Sequence, residues 1–416
     1  MPMRKLSGVL AVCAALLGAS TASADSLADL VPNLFGKGGI LLAPPQTGFS
    51  HAPHFTASSE AQLTVINDSL RSQLSNIPLP SPASGFTFQF DPALGAFTRS
   101  SDNFGPIYSQ RADTTGNGKM TFGLTYSRFT FDKLDGINLS NGDLKVTFIH
   151  EPTGAEIGLP PFFFERDTIT AQIKASLTSD VFVLSGTYGL LDNLDVSIAV
   201  PIIRNELRLT GIATINHIGT TPQQGIHQFA NGSDTTTVHS SGESTGIGDI
   251  VLRAKYNFFK SNPVLLAGGL DLRLPSGSVD ELRGVGTPVV SPVFIASTRP
   301  YWGVSPHVNL GFHLSGNTEK IDHEFFYNVG FDWSIIRPVT FAFDILGRRI
   351  LNNKRLEAGQ GPGGAQIASS DVVDASLGFK VNVYKNVLGV VNVLVPLNNT
   401  GLRDNVTPLV GLEVAF

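Results

Sequence analysis

From Lys119 to the C-terminal Phe416 the chain alternates apolar and polar residues. A period of two marks strands that bury one face. Over 371–383, Val373, Ala375, Leu377, Phe379, Val381 and Val383 fall on one face, and Asp374, Ser376, Gly378, Lys380 and Asn382 on the other. Over 249–258, Ile250, Leu252, Ala254, Tyr256 and Phe258 oppose Asp249, Arg253, Lys255 and Asn257. Over 264–274, Val264, Leu266, Leu270, Leu272 and Leu274 oppose Asp271 and Arg273. The pattern returns at 306–314, 325–333 and 339–348. Beyond residue 24 no run reaches the ~18 apolar residues of a spanning helix. The nearest, 387–397, is broken by Gly389, Asn392 and Pro396.

Alternation fits both a water-soluble sandwich and a membrane barrel. Three features favour the barrel. The links between strands alternate in length: tight near 191–193, 261–262, 302–303, 336–337 and 385, long and polar over 135–166, 217–245, 278–286 and 351–370. Outer-membrane barrels have short periplasmic turns and longer external loops. The runs are also about ten residues or longer, enough to cross a bilayer when tilted. Finally, only 15% of residues are charged, against about 25% in an average soluble domain. The net charge of −5 gives no basic excess for nucleic acid.

The turns predict an all-β, antiparallel up-and-down transmembrane barrel with twelve strands, near 119–132, 168–189, 193–210, 248–260, 264–275, 288–300, 305–315, 323–334, 339–349, 371–383, 386–397 and 405–416. An even count puts both barrel ends on the short-turn side. The alternation slips a phase near Ser179 and Asp180, which predicts a bulge or an extra turn, with fourteen strands the next count.

The first 118 residues read differently. Residues 1–24 have a basic start at Arg4 and Lys5, an apolar stretch from Leu6 to Leu17 and a small-residue site, Ala22-Ser23-Ala24, before Asp25. That is a secretory signal peptide. Cys13, the one cysteine, lies inside it, so no disulfide or thiolate site is expected beyond it. Residues 25–118 form an N-terminal segment that is either a plug in the barrel mouth or a periplasmic subdomain. In it, Leu63, Ile66, Leu70 and Leu74 recur at helical spacing before Pro78. Phe86, Phe88 and Phe90 then alternate with polar residues up to a turn at Asp91-Pro92.

Catalytic and metal signatures are weak. Gly242-Glu243-Ser244-Thr245-Gly246 matches a hydrolase nucleophile elbow as a string, but it closes a polar loop and leads into a strand instead of a helix. His313 and Ser315 share a strand face with no third partner. His307 and His313 stand about 20 Å apart along a strand and share no metal. His51 and His54 read as a solvated pair. No cofactor and no metal are expected. What remains is an inward row of both signs. The lumenal candidates are Asp249, Arg253, Lys255, Asp271, Arg273, Glu324, Asp344, Arg348, Asp374, Lys380 and Glu413, with Asp195 and Asp332 on the same side. The row serves either a hydrated structural network or a constriction that orients a permeant. Asp249 and Arg273 are expected to meet diagonally at the external rim.

Several strings resemble a known family. They are Tyr188-Gly189-Leu190-Leu191-Asp192-Asn193-Leu194-Asp195 followed by Val200-Pro201; Gly246-Ile247-Gly248-Asp249 with Arg253, Lys255 and Tyr256; and Leu274-Pro275-Ser276-Gly277. They resemble the MetA-pathway phenol-degradation family of outer-membrane transporters, which is distantly similar to long-chain fatty-acid and aromatic-hydrocarbon channels. The resemblance covers residues 119–416 and departs at 275–278, where the family often shows Thr and Asp. It implies passive, semi-selective passage of small hydrophobic or aromatic solutes, with outer-membrane lipid and the barrel assembly machinery as partners. A structural or adhesive barrel and a lipid or ester hydrolase barrel are the alternatives.

The last strand carries Val406, Pro408, Val410, Leu412, Val414 and Phe416 on one face. In such barrels a terminal aromatic is read by the assembly machinery, which makes Phe416 the expected assembly signal. Deleting Phe416 is expected to leave precursor processing intact and to lower the amount of folded barrel in the outer-membrane fraction, measured by fractionation.

Overall fold

The computed structural model describes residues 25–37, 40–43, 52–75, 77–81, 88–91, 96–99, 103–151, 166–218, 227–318, 320–351 and 371–416. The expected signal segment, His51 and Phe86 lie outside them. The chain begins with short 3-10 turns at Leu27–Asp29 and Ala52–Phe55 and a helix at Thr56–Ser75. A small hairpin follows, β1 (Phe88–Asp91) and β2 (Ala96–Arg99). Then come β3 (Met120–Leu134), β4 (Ile137–Asn138), β5 (Leu144–Ile149), β6 (Thr168–Leu191), β7 (Leu194–Asn216) and β8 (Thr235–Ile247). The remainder is β9 (Ile250–Lys260), β10 (Val264–Leu274), β11 (Val289–Thr298), β12 (Val304–Ser315), β13 (His323–Ile336), β14 (Val339–Leu351), β15 (Asp371–Tyr384), β16 (Val387–Pro396), β17 (Leu402–Asp404) and β18 (Thr407–Ala415).

Among the described residues, twelve of these strands close into one antiparallel barrel. Each pairs with the next in sequence from β9 to β16, β16 pairs with β18, and β3 joins β18 on one side to β6 on the other. The seam runs from Leu409↔Ser127 to Ala415↔Thr121, and from Met120↔Tyr188 to Phe131↔Leu177. Closure leaves no open edge within the ring. The twelve strands stand where the alternation places them. The polar stretches at 135–166 and 217–245 are more than loops, however. They hold β4 and β5, which pair with β3 and β6, and β8, which pairs with β7. The string Gly242–Gly246 therefore lies inside a strand, so neither a loop nor an elbow is formed there.

The expected bulge at Ser179 and Asp180 is not there. The β6–β7 register runs unbroken from Thr168↔Asn216 to Gly189↔Asp195. The slip in the pattern has another cause: the strand leaves one environment for another. In β6 the odd positions face inward throughout. Toward the short-turn end the outward residues are apolar, Phe182 and Leu184, and the inward ones are Ser185 and Thr187. Past Asp180 the outward residues become Thr178, Ser176 and Lys174, while Leu177, Ala175 and Ile173 are buried inside. β7 inverts likewise, from outward Val196 and Ile198 to Arg204, Glu206 and Arg208. β3 inverts from Phe122 and Leu124 to Arg128 and Thr130. The three inversions are level, because Arg128 pairs with Asp180 and Asp180 with Arg204. Tyr126 Oη donates to Asp180 at 2.7 Å, and Arg204 meets Glu243 at 2.8 Å. A line of charges thus marks the edge of the outward apolar belt. β6 has 24 residues, about 80 Å along its length, so it rises far past a belt about 25 Å tall.

The projecting halves of β6 and β7, with β5, turn an apolar inner face to the N-terminal segment, and β8 adds Val238. The helix buries Leu63, Ile66, Leu70 and Leu74 in one cluster with Leu144, Val146, Phe148, Ile169, Leu207 and Leu209. Alone, a twenty-residue helix rich in Ser and Thr is marginal in water; this burial supplies what propensity lacks. Its N-terminal end is anchored by imidazoles: His54 Nδ1 lies 3.1 Å from His150 Nε2, and the His227 ring lies 5.1 Å from that of His150. His227 Nδ1 reaches Asp167 at 2.9 Å. His54 is therefore part of a packed cluster, unlike the solvated pair expected. Among the described residues no helix is long and apolar enough to cross a membrane, which says nothing of strands.

Candidate functional site

Residues 103–118 run through the barrel interior below the helix, and no strand ladder pairs them. Their backbone groups are met by inward side chains, as buried peptide groups require. Asn103 Nδ2 donates to the Asp332 carbonyl at 3.1 Å, and the Phe104 N–H donates to Thr340 Oγ1 at 3.0 Å. The Gln110 N–H donates to Asn309 Oδ1 at 2.7 Å, and Asn309 Nδ2 donates back to the Gln110 carbonyl at 2.8 Å. The Ala112 N–H donates to Ser297 Oγ at 3.0 Å, and Asn257 Nδ2 donates to the Ala112 carbonyl at 2.8 Å. Lys255 Nζ donates to the Arg111 and Asp113 carbonyls at 3.2 and 2.5 Å. The Thr115 N–H donates to the Asp195 carboxylate at 2.9 Å. The segment is thus a strap hung on β7, β9, β11, β12, β13 and β14. It leaves through Gly116 and Gly118, both at positive φ. Gly189 makes room for that exit, since a Cβ there would stand 1.9 Å from the Gly116 carbonyl oxygen.

Beneath the strap, His307 lies between two carboxylates, 3.3 Å from Asp332 and 2.6 Å from Asp344. Arg111 of the strap is 3.6 Å from Asp332. On the far side Lys380 Nζ donates to Glu413 at 2.9 Å. These buried pairs compensate charges that would be costly alone.

Between helix and strap lies a chamber of about 220 Å³. One wall is a belt at a single level across adjacent strands. Arg253 on β9 stands opposite Asp271 on β10, and its Nε donates to that carboxylate at 2.5 Å. Asp271 stands opposite Ser291 on β11. The Ser291 hydroxyl is 2.8 Å from Nδ1 of His313 on β12, which stands opposite Glu324 on β13. Arg348 on β14 reaches Glu324 at 3.4 Å and donates to Gln73 of the helix at 2.8 Å. Arg273 lines the chamber one inward step above Asp271. The other wall is mixed, with Phe129, Phe131, Leu394, Val372 and Leu402 beside Asp374, Arg403 and Asp404. There Arg403 donates to Asp374 at 2.7 Å.

Of the lumenal candidates, Arg253, Asp271, Arg273, Glu324, Arg348 and Asp374 come together around this chamber. Lys255 holds the strap, Asp344 lies under it, and Lys380 with Glu413 forms a separate pair. Asp249 lies in the electrostatic field of Arg273 and also has a backbone role. Its carboxylate accepts the Gly277 and Val285 N–H groups at 3.0 and 2.9 Å and so ties down the link from β10 to β11. It lies one step past the Leu274↔Ile250 pair, where these two backbone donors are within hydrogen-bond reach. Ser315 Oγ donates to the Asn317 carbonyl, and the serine beside His313 is Ser291. The strap partners Asn309 and Ser297, Arg111 of the strap itself, and the wall residues Phe129, Phe131 and Arg403 carry no sequence signature. Among the described residues no group of three or more His, Cys, Asp or Glu could hold a metal ion.

The family profile described as "Putative MetA-pathway of phenol degradation" matches residues 153–389. Among solved structures, the chain is similar to the NanC porin, at 10% identity over 60% of this chain and 98% of that one, with a TM-score of 0.35. It is similar to a Pseudomonas aeruginosa FadL homologue at 9% identity over 72% and 90%, TM-score 0.33. It is also similar to the Ralstonia pickettii toluene transporter TbuX at 11% identity over 72% and 89%, TM-score 0.33. Among curated proteins nothing matches.

Asn309 both donates to and accepts from Gln110 of the strap. Asn309→Leu removes both bonds and leaves the Gln110 peptide buried. It is expected to weaken the strap locally by about 1–3 kcal/mol. Hydrogen exchange at residues 108–113 is expected to quicken while the barrel strands keep their protection.

Proposed function

The chain belongs to the MetA-pathway phenol-degradation family, and from that premise we propose that it is an outer-membrane channel for passive, semi-selective passage of small hydrophobic or aromatic molecules. The observation that carries this reading is the pairing of an apolar outer belt with a half-apolar chamber inside the same closed barrel. Leu252, Leu270, Val290, Leu310, Val329, Phe379, Val391 and Leu412 all point outward and exposed. A surface of that kind needs lipid. At the short-turn end Tyr256, Phe258, Tyr301, Trp302, Trp333, Tyr384 and Phe416 are exposed, as in the aromatic girdle of an outer-membrane barrel. That end is then periplasmic and the charged line at Arg128, Asp180 and Arg204 external. Export through residues 1–24 and insertion by the assembly machinery belong to the same proposal.

On this reading residues 25–118 are a plug with two layers, the helix above and the strap below. Deleting residues 58–77 is expected to raise single-channel conductance in a planar bilayer, and adding Asn309→Leu is expected to raise it further. Unchanged conductance with an intact barrel would remove the helix from the path.

Leu270 and Gly269 test the membrane itself. Leu270 is 52% exposed and faces out, while Gly269 faces in, with Val293 at ordinary contact distance. Leu270→Arg is expected to cost about 2–4 kcal/mol in folding into lipid vesicles, and Gly269→Ala to avoid that penalty. Equal tolerance at the two positions, with no heat-modifiable migration of the detergent-extracted protein, would overturn the membrane reading.

A further inference from the structure

We propose that Arg348 is the group by which the chamber recognises a small neutral carbonyl compound, and that the side-chain amide of Gln73 on the helix takes that compound's place in this structure. Solute and helix end then compete for one guanidinium. The site rests on the channel reading and names the class of solute the channel selects.

The contact itself is the first argument. Gln73 lies in the last turn of the helix, is buried, and lines the chamber. Its Oε1 accepts from Nη2 of Arg348 at 2.8 Å, while Nη1 of the same guanidinium reaches Glu324 at 3.4 Å. One arm of Arg348 thus faces a carboxylate of the wall and the other a neutral oxygen of the helix. That oxygen also sits in a fitted place. Gly401 has a φ of +80°, and a Cβ there would stand 2.8 Å from Gln73 Oε1. A carbonyl oxygen brought by a solute meets the same donor and the same room.

The second argument is charge. The chamber lining carries four guanidinium groups and four carboxylates. Three of each are paired, Arg253 with Asp271, Arg348 with Glu324 and Arg403 with Asp374. A lining balanced in this way favours no added ion of either sign, because a buried charge without a counter-charge is costly. A carboxylate in the place of the Gln73 amide would also stand beside Glu324 on one arginine. A neutral oxygen keeps the balance and still takes a charge-assisted hydrogen bond. The third argument is the rest of the lining. Phe129, Phe131, Leu394 and Val372 offer apolar surface to a solute's body. At about 220 Å³ the chamber is many times the roughly 10–15 Å³ that one water needs, which leaves room for a single ring.

The test uses the purified full-length mature protein and benzamide at neutral pH. Benzoate serves as the anionic counterpart and aniline as a neutral ring without a carbonyl. Calorimetry is expected to show benzamide binding at one site more tightly than either counterpart. Gln73→Leu removes the competitor and leaves the barrel wall untouched. It is expected to tighten benzamide by about tenfold, as for one hydrogen bond to a charged group, and to leave aniline unchanged. Adding Arg348→Lys to that variant keeps a cation beside Glu324 and loses the second arm, and is expected to weaken benzamide by about tenfold. In the native protein, hydrogen exchange over residues 70–75 is expected to quicken with benzamide and not with aniline. Heat-modifiable migration of each variant confirms that the barrel is intact. Benzamide binding no tighter than its counterparts, or a benzamide affinity that Gln73→Leu leaves unchanged or lowers, would overturn the proposal. Proteoliposome passage separates it from the channel reading. Passage of aniline and benzamide above protein-free vesicles, with benzamide affinity indifferent to Gln73, sinks the carbonyl site alone, whereas passage of neither solute sinks the channel.

Discussion

Closure of the barrel at β3 is the constraint from which the other features follow. β3 is held by β18 on one side and β6 on the other, so the ring has no free edge and the wall strands spend their backbone ladders on their neighbours. Nothing inside can then pair with the wall by a ladder. Whatever fills the lumen must be held by side chains that point inward, and those occupy every second position of each strand. The inward Asn309, Ser297, Asn257, Lys255, Asp195 and Thr340 are the consequence: they do for the strap what a neighbouring strand would do in an open sheet.

This division of labour explains which features the sequence carries openly. The twelve wall strands are legible because lipid-facing and lumen-facing positions alternate chemically, as in 371–383, where Leu377 and Phe379 face out and Ser376 and Lys380 face in. The slip at Ser179 is legible as a break, but its meaning is not. Alternation reports the contrast between two sides, and the contrast reverses where water replaces the apolar surroundings outside and packed helix replaces polar lumen inside. A change of register and a change of solvent look the same in one dimension. β8 is hidden for a related reason. It is Ser- and Thr-rich on both faces because neither face is deeply buried, so no period marks it.

The candidate site is half legible on the same grounds. Arg253, Asp271, Arg273, Glu324 and Arg348 are visible because a charge on an otherwise apolar strand names its own face. Their order around the barrel follows from register, which tight turns nearly fix. The strap is invisible because 103–118 has neither a two- nor a 3.6-residue period; its conformation is set by partners up to 236 residues away, as in the Phe104 bond to Thr340. Asp249 shows the limit of pairing arguments at a strand end. Past the last paired residue the register does not show that the carboxylate also takes the Gly277 and Val285 N–H groups.

A strap bound through side chains behaves differently from a strand bound through a ladder. Each of its hydrogen bonds contributes about 0.5–1.5 kcal/mol net, with the charge-assisted ones at Lys255 and Asp195 somewhat above that. The bonds are distributed over six strands and do not depend on a common register. Loss of one therefore leaves the others in place, and water or a polar solute group can replace any of them without disturbing the wall. The wall has no such freedom, because sliding one strand by a residue would turn its lipid face inward. The strap and the helix above it are thus held by contacts that can be exchanged without breaking the ladder of the wall. The buried charges reinforce the division. Asp332 holds Arg111 of the strap at 3.6 Å while also lying 3.3 Å from His307. His307, between Asp332 and Asp344, is the wall side chain that can carry a compensating charge for both carboxylates, and Arg111 of the strap adds the second.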